Sequence, residues 1–251
     1  MAVAGPARPS WIINNGSNKR KRDDDDDEKN KKPSFNEDFF GPLEEDRGLF
    51  RPAIVLVIGD SFIRRLQQFE HSTYGHYHNM SLLYDVCHIN WYGIGGLTIP
   101  RMRSMHMDIL REMRPDVVVL QLGTNDLCDP QVSAPLVSAD LQFLVQNIHS
   151  LGVHHVMVGQ TINRQRQGVP AHTNVTNFNW LVSQLNTATD NALAHSAMAS
   201  FWSHRGLWDN RRNIMARDGV HLNRFGNCLL YRSIRGAILH GVRRARPNLR
   251  W

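Results

Sequence analysis

Four short segments carry side chains whose types and spacing suit chemistry at a serine. Gly59-Asp60-Ser61 directly follows the uncharged run Ala53–Ile58, and the residues after it (Phe62, Ile63, Leu66, Phe69) are apolar at helical spacing. Ser61 therefore falls on a strand-to-helix turn, where free backbone N–H groups and the helix dipole favour developing negative charge. A serine there can act as a nucleophile, although Asp and Ser are also preferred helix caps. Tyr92-Gly93-Ile94-Gly95-Gly96-Leu97-Thr98 precedes another helical pattern. Its paired glycines either let backbone approach a ligand closely or simply make a tight turn. In Gly123-Thr124-Asn125-Asp126 an asparagine can aim its amide beside backbone donors, as an oxyanion requires, though Asn and Asp also favour turns for local reasons. The last segment is Asp218-Gly219-Val220-His221. A histidine can take a serine proton if a carboxylate fixes its tautomer, and an Asp three residues earlier can fold back to do so.

These segments need a scaffold that brings them together. From residue 51 onward apolar strands (Ala53–Ile58, Val86–Trp91, Val117–Leu122, Val153–Val158 and a weaker Ala197–Trp202) alternate with helical patterns near 62–70, 99–113, 136–150, 175–195 and 223–241. Gly59, Gly93, Gly123, Gly152 and Gly159 punctuate the strand ends, and Pro115 closes one helix before the third strand. The alternation predicts an α/β fold: a five-stranded parallel sheet in a three-layer α/β/α sandwich, flavodoxin-like in layout. In such sheets sites form at the carboxyl ends of strands, where all three glycine-bearing loops fall.

Gly59-Asp60-Ser61, Gly96, Gly123-Thr124-Asn125-Asp126 and Asp218-x-x-His221, in that order, resemble the four blocks of the SGNH (GDSL-type) hydrolase family. The resemblance spans about 170 residues and implies the SGNH hydrolase fold and a serine esterase that works without metal or other cofactor on a small-molecule ester. It assigns Ser61 as nucleophile, His221 as general base and Asp218 as the acid that orients it. The oxyanion donors would be the N–H groups of Ser61 and Gly96 and the Asn125 side chain. All four name-giving positions are filled. Two departures stand out: Phe62-Ile63 follows the serine where many relatives carry leucine, and Gly96-Leu97-Thr98 replaces the Gly-Asp-Thr of several relatives. SGNH-like domains also occur in proteins of animal retroelements, which leaves a nucleic-acid-associated module as an alternative. A ligand binder without turnover is a further one.

Composition divides the chain into a charged tail (1–50), a catalytic-type domain (51–241) and a basic end (242–251). The tail carries Lys19-Arg20-Lys21-Arg22, five consecutive aspartates and every lysine of the chain. So much charge with so little aliphatic content predicts disorder, and the basic cluster reads as a nuclear localisation signal or a solubilising linker. Residues 205–251 hold eleven Arg against two Asp. Arg232, Arg235, Arg243, Arg244, Arg246 and Arg250 form a basic surface that suits either weak nucleic-acid contact or a solvated helix face. No run reaches the ~18–20 apolar residues of a membrane span, and the amino terminus lacks a signal-peptide core. With three widely spaced cysteines, a cytoplasmic or nuclear protein is expected.

Other candidates read as structural. Asp60 should bond local backbone and Asp126 should support its loop. The segment Gly159–Gly168, with Arg164 and Arg166, should overhang the site as a solvated loop. His71, His76 and His78 read as a polar loop, since no Cys or acid cluster accompanies them.

Overall fold

The computed structural model describes residues 51–75, 79–208 and 213–247. The predicted tail and its Lys19–Arg22 cluster lie outside the described residues, as do His76, His78 and Arg250. The elements run β1 (Ala53–Gly59), α1 (Ser61–Tyr74), β2 (Cys87–Gly93), α2 (Ile99–Met105), α3 (Asp108–Met113), β3 (Val117–Gln121), α4 (Ala134–Ser150), β4 (His155–Gly159), α5 (Val175–Leu193), β5 (Ala199–Trp202) and α6 (Arg224–Ala245). The sheet order is β2-β1-β3-β4-β5, and every neighbouring pair is parallel. This is the expected α/β/α layout. The winding reverses between β1 and β3, so the loops after those two strands flank the crevice of the switch point.

Alternation along the strands supplies both helical layers. Ala53, Val55 and Val57 of β1 and Val117 and Val119 of β3 share one core with Phe62, Ile63 and Leu66 of α1 and Leu230, Ile234, Ala237, Ile238 and Val242 of α6. Leu56, Ile58, Val118 and Leu120 point the other way and are also fully buried, which is why β1 and β3 read as continuous apolar runs. Each such side chain contributes about 1.5–3 kcal/mol on burial. Gly93, at the end of β2, lets the first turn of α1 come close: a Cβ there would lie 2.3 Å from the Arg64 nitrogen. Among the described residues no helix is long and apolar enough to cross a membrane.

Two expectations are revised. The single helix expected over 99–113 is two, α2 and α3, broken at His106-Met107. His106 leaves helical geometry (φ −129°, ψ 8°), and its Nδ1 lies 3.0 Å from the Tyr92 hydroxyl, a tether from β2 that sequence periodicity does not register. The last helix runs past 241 to Ala245, because Gly241 packs on Val117 and Val242 enters the core.

At the amino ends of the strands Asp116 is a hub. Its carboxylate accepts two hydrogen bonds from Arg51 (2.9 and 2.8 Å), one from Arg246 (3.0 Å) and one from the Ile54 N–H (2.7 Å).

Candidate active site

Asp60, not Ser61, caps α1. Its backbone is extended, and its Oδ1 accepts the Phe62 N–H at 2.9 Å. The Ser61 hydroxyl is thereby released from capping, and its Oγ lies 2.9 Å from Nε2 of His221. His221 stands just before α6, whose cap Asn223 accepts the Gly226 N–H at 2.9 Å. The loop before it is closed by the Ala216 N–H on the His221 carbonyl (2.7 Å) and by an antiparallel bridge between Met215 and Leu222. Sequence-distant Ser61, Asp218 and His221 are thus brought into one hydrogen-bonded row.

Asp218 folds back as its spacing suggested. Oδ1 accepts the N–H groups of Val220 (3.0 Å) and His221 (2.9 Å), while Oδ2 lies 2.7 Å from His221 Nδ1. Partial burial pushes the carboxyl upward, but the backbone and side-chain hydrogen bonds of His221 and the Val220 N–H outweigh it and hold the pKa at about 2. The ionised carboxylate accepts, so Nδ1 carries the proton and the Nε2 lone pair faces the Ser61 hydroxyl. The Phe62 ring flanks the imidazole at 6.2 Å between centroids.

Asn125 reaches the same place from the other side of the switch point. Its Nδ2 donates to the Leu97 carbonyl at 3.1 Å and makes a longer contact, 3.4 Å, with Asp60 Oδ2. Gly96 sits in the adjoining turn at φ +68°, closed by the Leu97 N–H on the Ile94 carbonyl. Among the described residues the N–H groups of Ser61 and Gly96 meet no backbone acceptor. The Asn125 amide, the Gly96 turn and the amino end of α1 are therefore neighbours.

The two aspartates expected to be structural are embedded in this arrangement. Asp60 is fully buried, and desolvation raises its pKa to about 7 against the opposing pull of the Phe62 N–H and the Arg164 charge. Asp126 accepts the Ile99 N–H at 2.9 Å at the start of α2, and burial raises its pKa to about 6.

The segment 159–168 is not the solvated overhang expected. Gln165, Arg166 and Gln167 are exposed, but Arg164 is 7% exposed and turned inward. Two asparagines of α5, two turns apart, hold its backbone: Asn186 exchanges both amide hydrogen bonds with Thr161 (2.8 and 2.9 Å), and Asn179 does the same with Arg164 (2.9 and 2.9 Å). Spacing gave no sign of this, because all but one of the acceptors of Arg164 come from another loop. Of the carboxyl-terminal arginines, Arg246 is taken up by Asp116 and Arg235 by the Met80 carbonyl at 3.0 Å; Arg232, Arg243 and Arg244 lie at the surface. Among the described residues no three His, Cys, Asp or Glu side chains gather as a metal site would need.

A sequence model of the GDSL-like lipase/acylhydrolase family matches residues 57–228, a stretch that contains all four segments. No curated protein matches the chain. Solved structures share its fold. A GDSL-like lipase from Bacteroides thetaiotaomicron superposes with a TM-score of 0.59 at 14% identity, covering 75% of this chain and 88% of that one. A carbohydrate esterase family 3 protein from Talaromyces cellulolyticus gives 0.55 at 15% identity, with 76% and 98% covered. An acetylxylan esterase from Geobacillus stearothermophilus gives 0.52 at 15% identity, with 77% and 95% covered.

Proposed function

The chain belongs to the GDSL-like lipase/acylhydrolase family, and from that premise we propose that it is a serine esterase acting on a small-molecule carboxylic ester through an acyl-enzyme. The observation that carries this reading is the row Ser61 Oγ to His221 Nε2 at 2.9 Å and His221 Nδ1 to Asp218 Oδ2 at 2.7 Å. In the proposed reaction Ser61 Oγ attacks the ester carbonyl carbon while its proton passes to His221 Nε2. Asp218 stabilises the resulting imidazolium and keeps the ring in register. The carbonyl oxygen, now an oxyanion, is received by the N–H groups of Ser61 and Gly96 and by the Asn125 amide, each such donor being worth about 3–4 kcal/mol. His221 returns the proton to the departing alcohol. Water then attacks the acyl group, giving its proton to His221, and the free acid leaves as Ser61 recovers its own.

The test is hydrolysis of short p-nitrophenyl esters by the purified chain beside Ser61→Ala, with a fluorophosphonate probe on both. Serine-dependent turnover and labelling support the esterase; a folded wild-type chain that neither turns over nor labels refutes it.

A second reading rests on the exposed Arg232 and Arg244 of α6. Weak, sequence-independent contact with nucleic acid at that surface would show as binding that falls steeply with salt. Binding that ignores salt, or none at low salt, would end it.

A further inference from the structure

We infer that Arg164 is a positioning residue of this site, holding the Asn125 amide in its donating orientation and tying that loop to the one that carries Asp218 and His221. The inference rests on the esterase reading above.

A guanidinium has five N–H donors in a fixed fork. Each here has an acceptor. Nε donates to Thr124 Oγ1 (3.2 Å), and Nη2 to the Thr124 carbonyl and Asn125 Oδ1 (both 3.3 Å). Nη1 donates to the Gly168 carbonyl (3.0 Å) and to Cys128 Sγ (3.2 Å). The plane of the group lies over Phe178, 5.0 Å from its centroid. An arginine buried among carbonyls in this way is part of the framework, with no donor left for a ligand.

The consequence for Asn125 follows from amide chemistry. Rotated by half a turn, the amide would present its oxygen where an oxyanion develops. Arg164 can only donate, so it keeps Oδ1 on its own side and sends Nδ2 toward the Leu97 carbonyl and Asp60, the residue before the serine. One Nδ2 proton goes to the Leu97 carbonyl; the other, on the long contact to Asp60, is available to a substrate oxygen.

The second arm reaches the base. Gly168, whose carbonyl Arg164 holds, lies backbone against backbone with Gly219: a Cβ on Gly168 would come within 2.4 Å of the Gly219 oxygen. That same oxygen accepts the Gln165 N–H at 2.8 Å. Arg164 thus spans the gap between the oxyanion loop and the Asp218–His221 loop, touching no reacting atom itself.

A double-mutant cycle on the full chain tests this, reading kcat and KM on p-nitrophenyl acetate with thermal melts as the fold control. Asn125→Ala should lower kcat by about 10²–10³-fold. Arg164→Met should lower it by about 10–100-fold, with KM changed by less than about 2-fold, and adding it to Asn125→Ala should cost clearly less than the product of the two losses, the remainder being the share that runs through Gly168 to the Asp218–His221 loop. Arg164→Lys keeps the charge without the fork and should also lose kcat; it takes the place of Met in the cycle if the Met variant does not fold. A folded Arg164 variant with wild-type kcat, or losses that multiply in the double variant, overturns the inference while leaving the esterase standing. A wild-type chain without serine-dependent turnover overturns both.

Discussion

His221 Nε2 and Ser61 Oγ are 160 residues apart in sequence and 2.9 Å apart in space. Ser61 opens α1 and His221 stands just ahead of α6, and these two helices pack on each other over the same face of the sheet. That closeness rests on the packing of α1 against α6 and on the bonds that fix the loop ahead of α6. Ser61→Ala should therefore abolish turnover, by about 10⁴-fold or more, without lowering the melting temperature, because the cap of α1 belongs to Asp60. Steady-state kinetics and a thermal melt on the same sample check both halves.

Asp218→Asn should lower kcat by about 10³–10⁴-fold at neutral pH, since an amide neither fixes the Nδ1–H tautomer nor supports the imidazolium. With its carboxyl held at about 2, below the ordinary 3.8, Asp218 stays ionised through the working range. Its stabilising contribution is complete above pH ~4 and is lost as the pH falls toward 2. A pH–rate profile of the wild type should show no acid limb near pH 4 from this group.

Asp60 has the opposite sign. Its folded pKa of about 7 lies above the ordinary 3.8, so between those values the folded state holds a proton that the unfolded state has released. Stability should fall as pH rises through that window, and Asp126 adds to the decline up to about pH 6. Asp60→Asn, which keeps an oxygen for the Phe62 N–H, should flatten the decline. Melting temperatures of the two proteins from pH 4 to 8 decide it; parallel curves would refute the assignment.

Asp116→Ala strands the Ile54 N–H and two guanidinium groups at the far end of the sheet. The expected cost is about 2–3 kcal/mol, less than for a fully buried pair because the Arg51 side chain is 48% exposed. Denaturant unfolding should show the loss while ester kcat at 25 °C stays as in the wild type.

What the sequence made legible was what local chemistry determines. The uncharged run of β1 with Gly59-Asp60-Ser61 behind it announces a buried strand and a loaded turn, and Asp218 lies close enough to His221 to fold back on it. The parallel, helix-covered sheet followed from the same alternation. Arg164 was hidden for the reverse reason: Thr124 and Asn125 stand about 40 residues away, and Asn179 on another helix keeps its backbone in place. A lone arginine between polar residues has the composition of a solvated loop. The break at His106 was equally invisible, since it depends on a hydroxyl from β2.

Arg51 and Arg246 grip the same Asp116 carboxylate, and Arg246 also reaches the Arg51 carbonyl. The polypeptide therefore arrives at the described fold and departs from it at one point, the pole opposite Ser61. Such a fold suits use as a cassette, spliced into a surface loop of a host protein or circularly permuted across a short linker, because both joins fall at the pole away from Ser61.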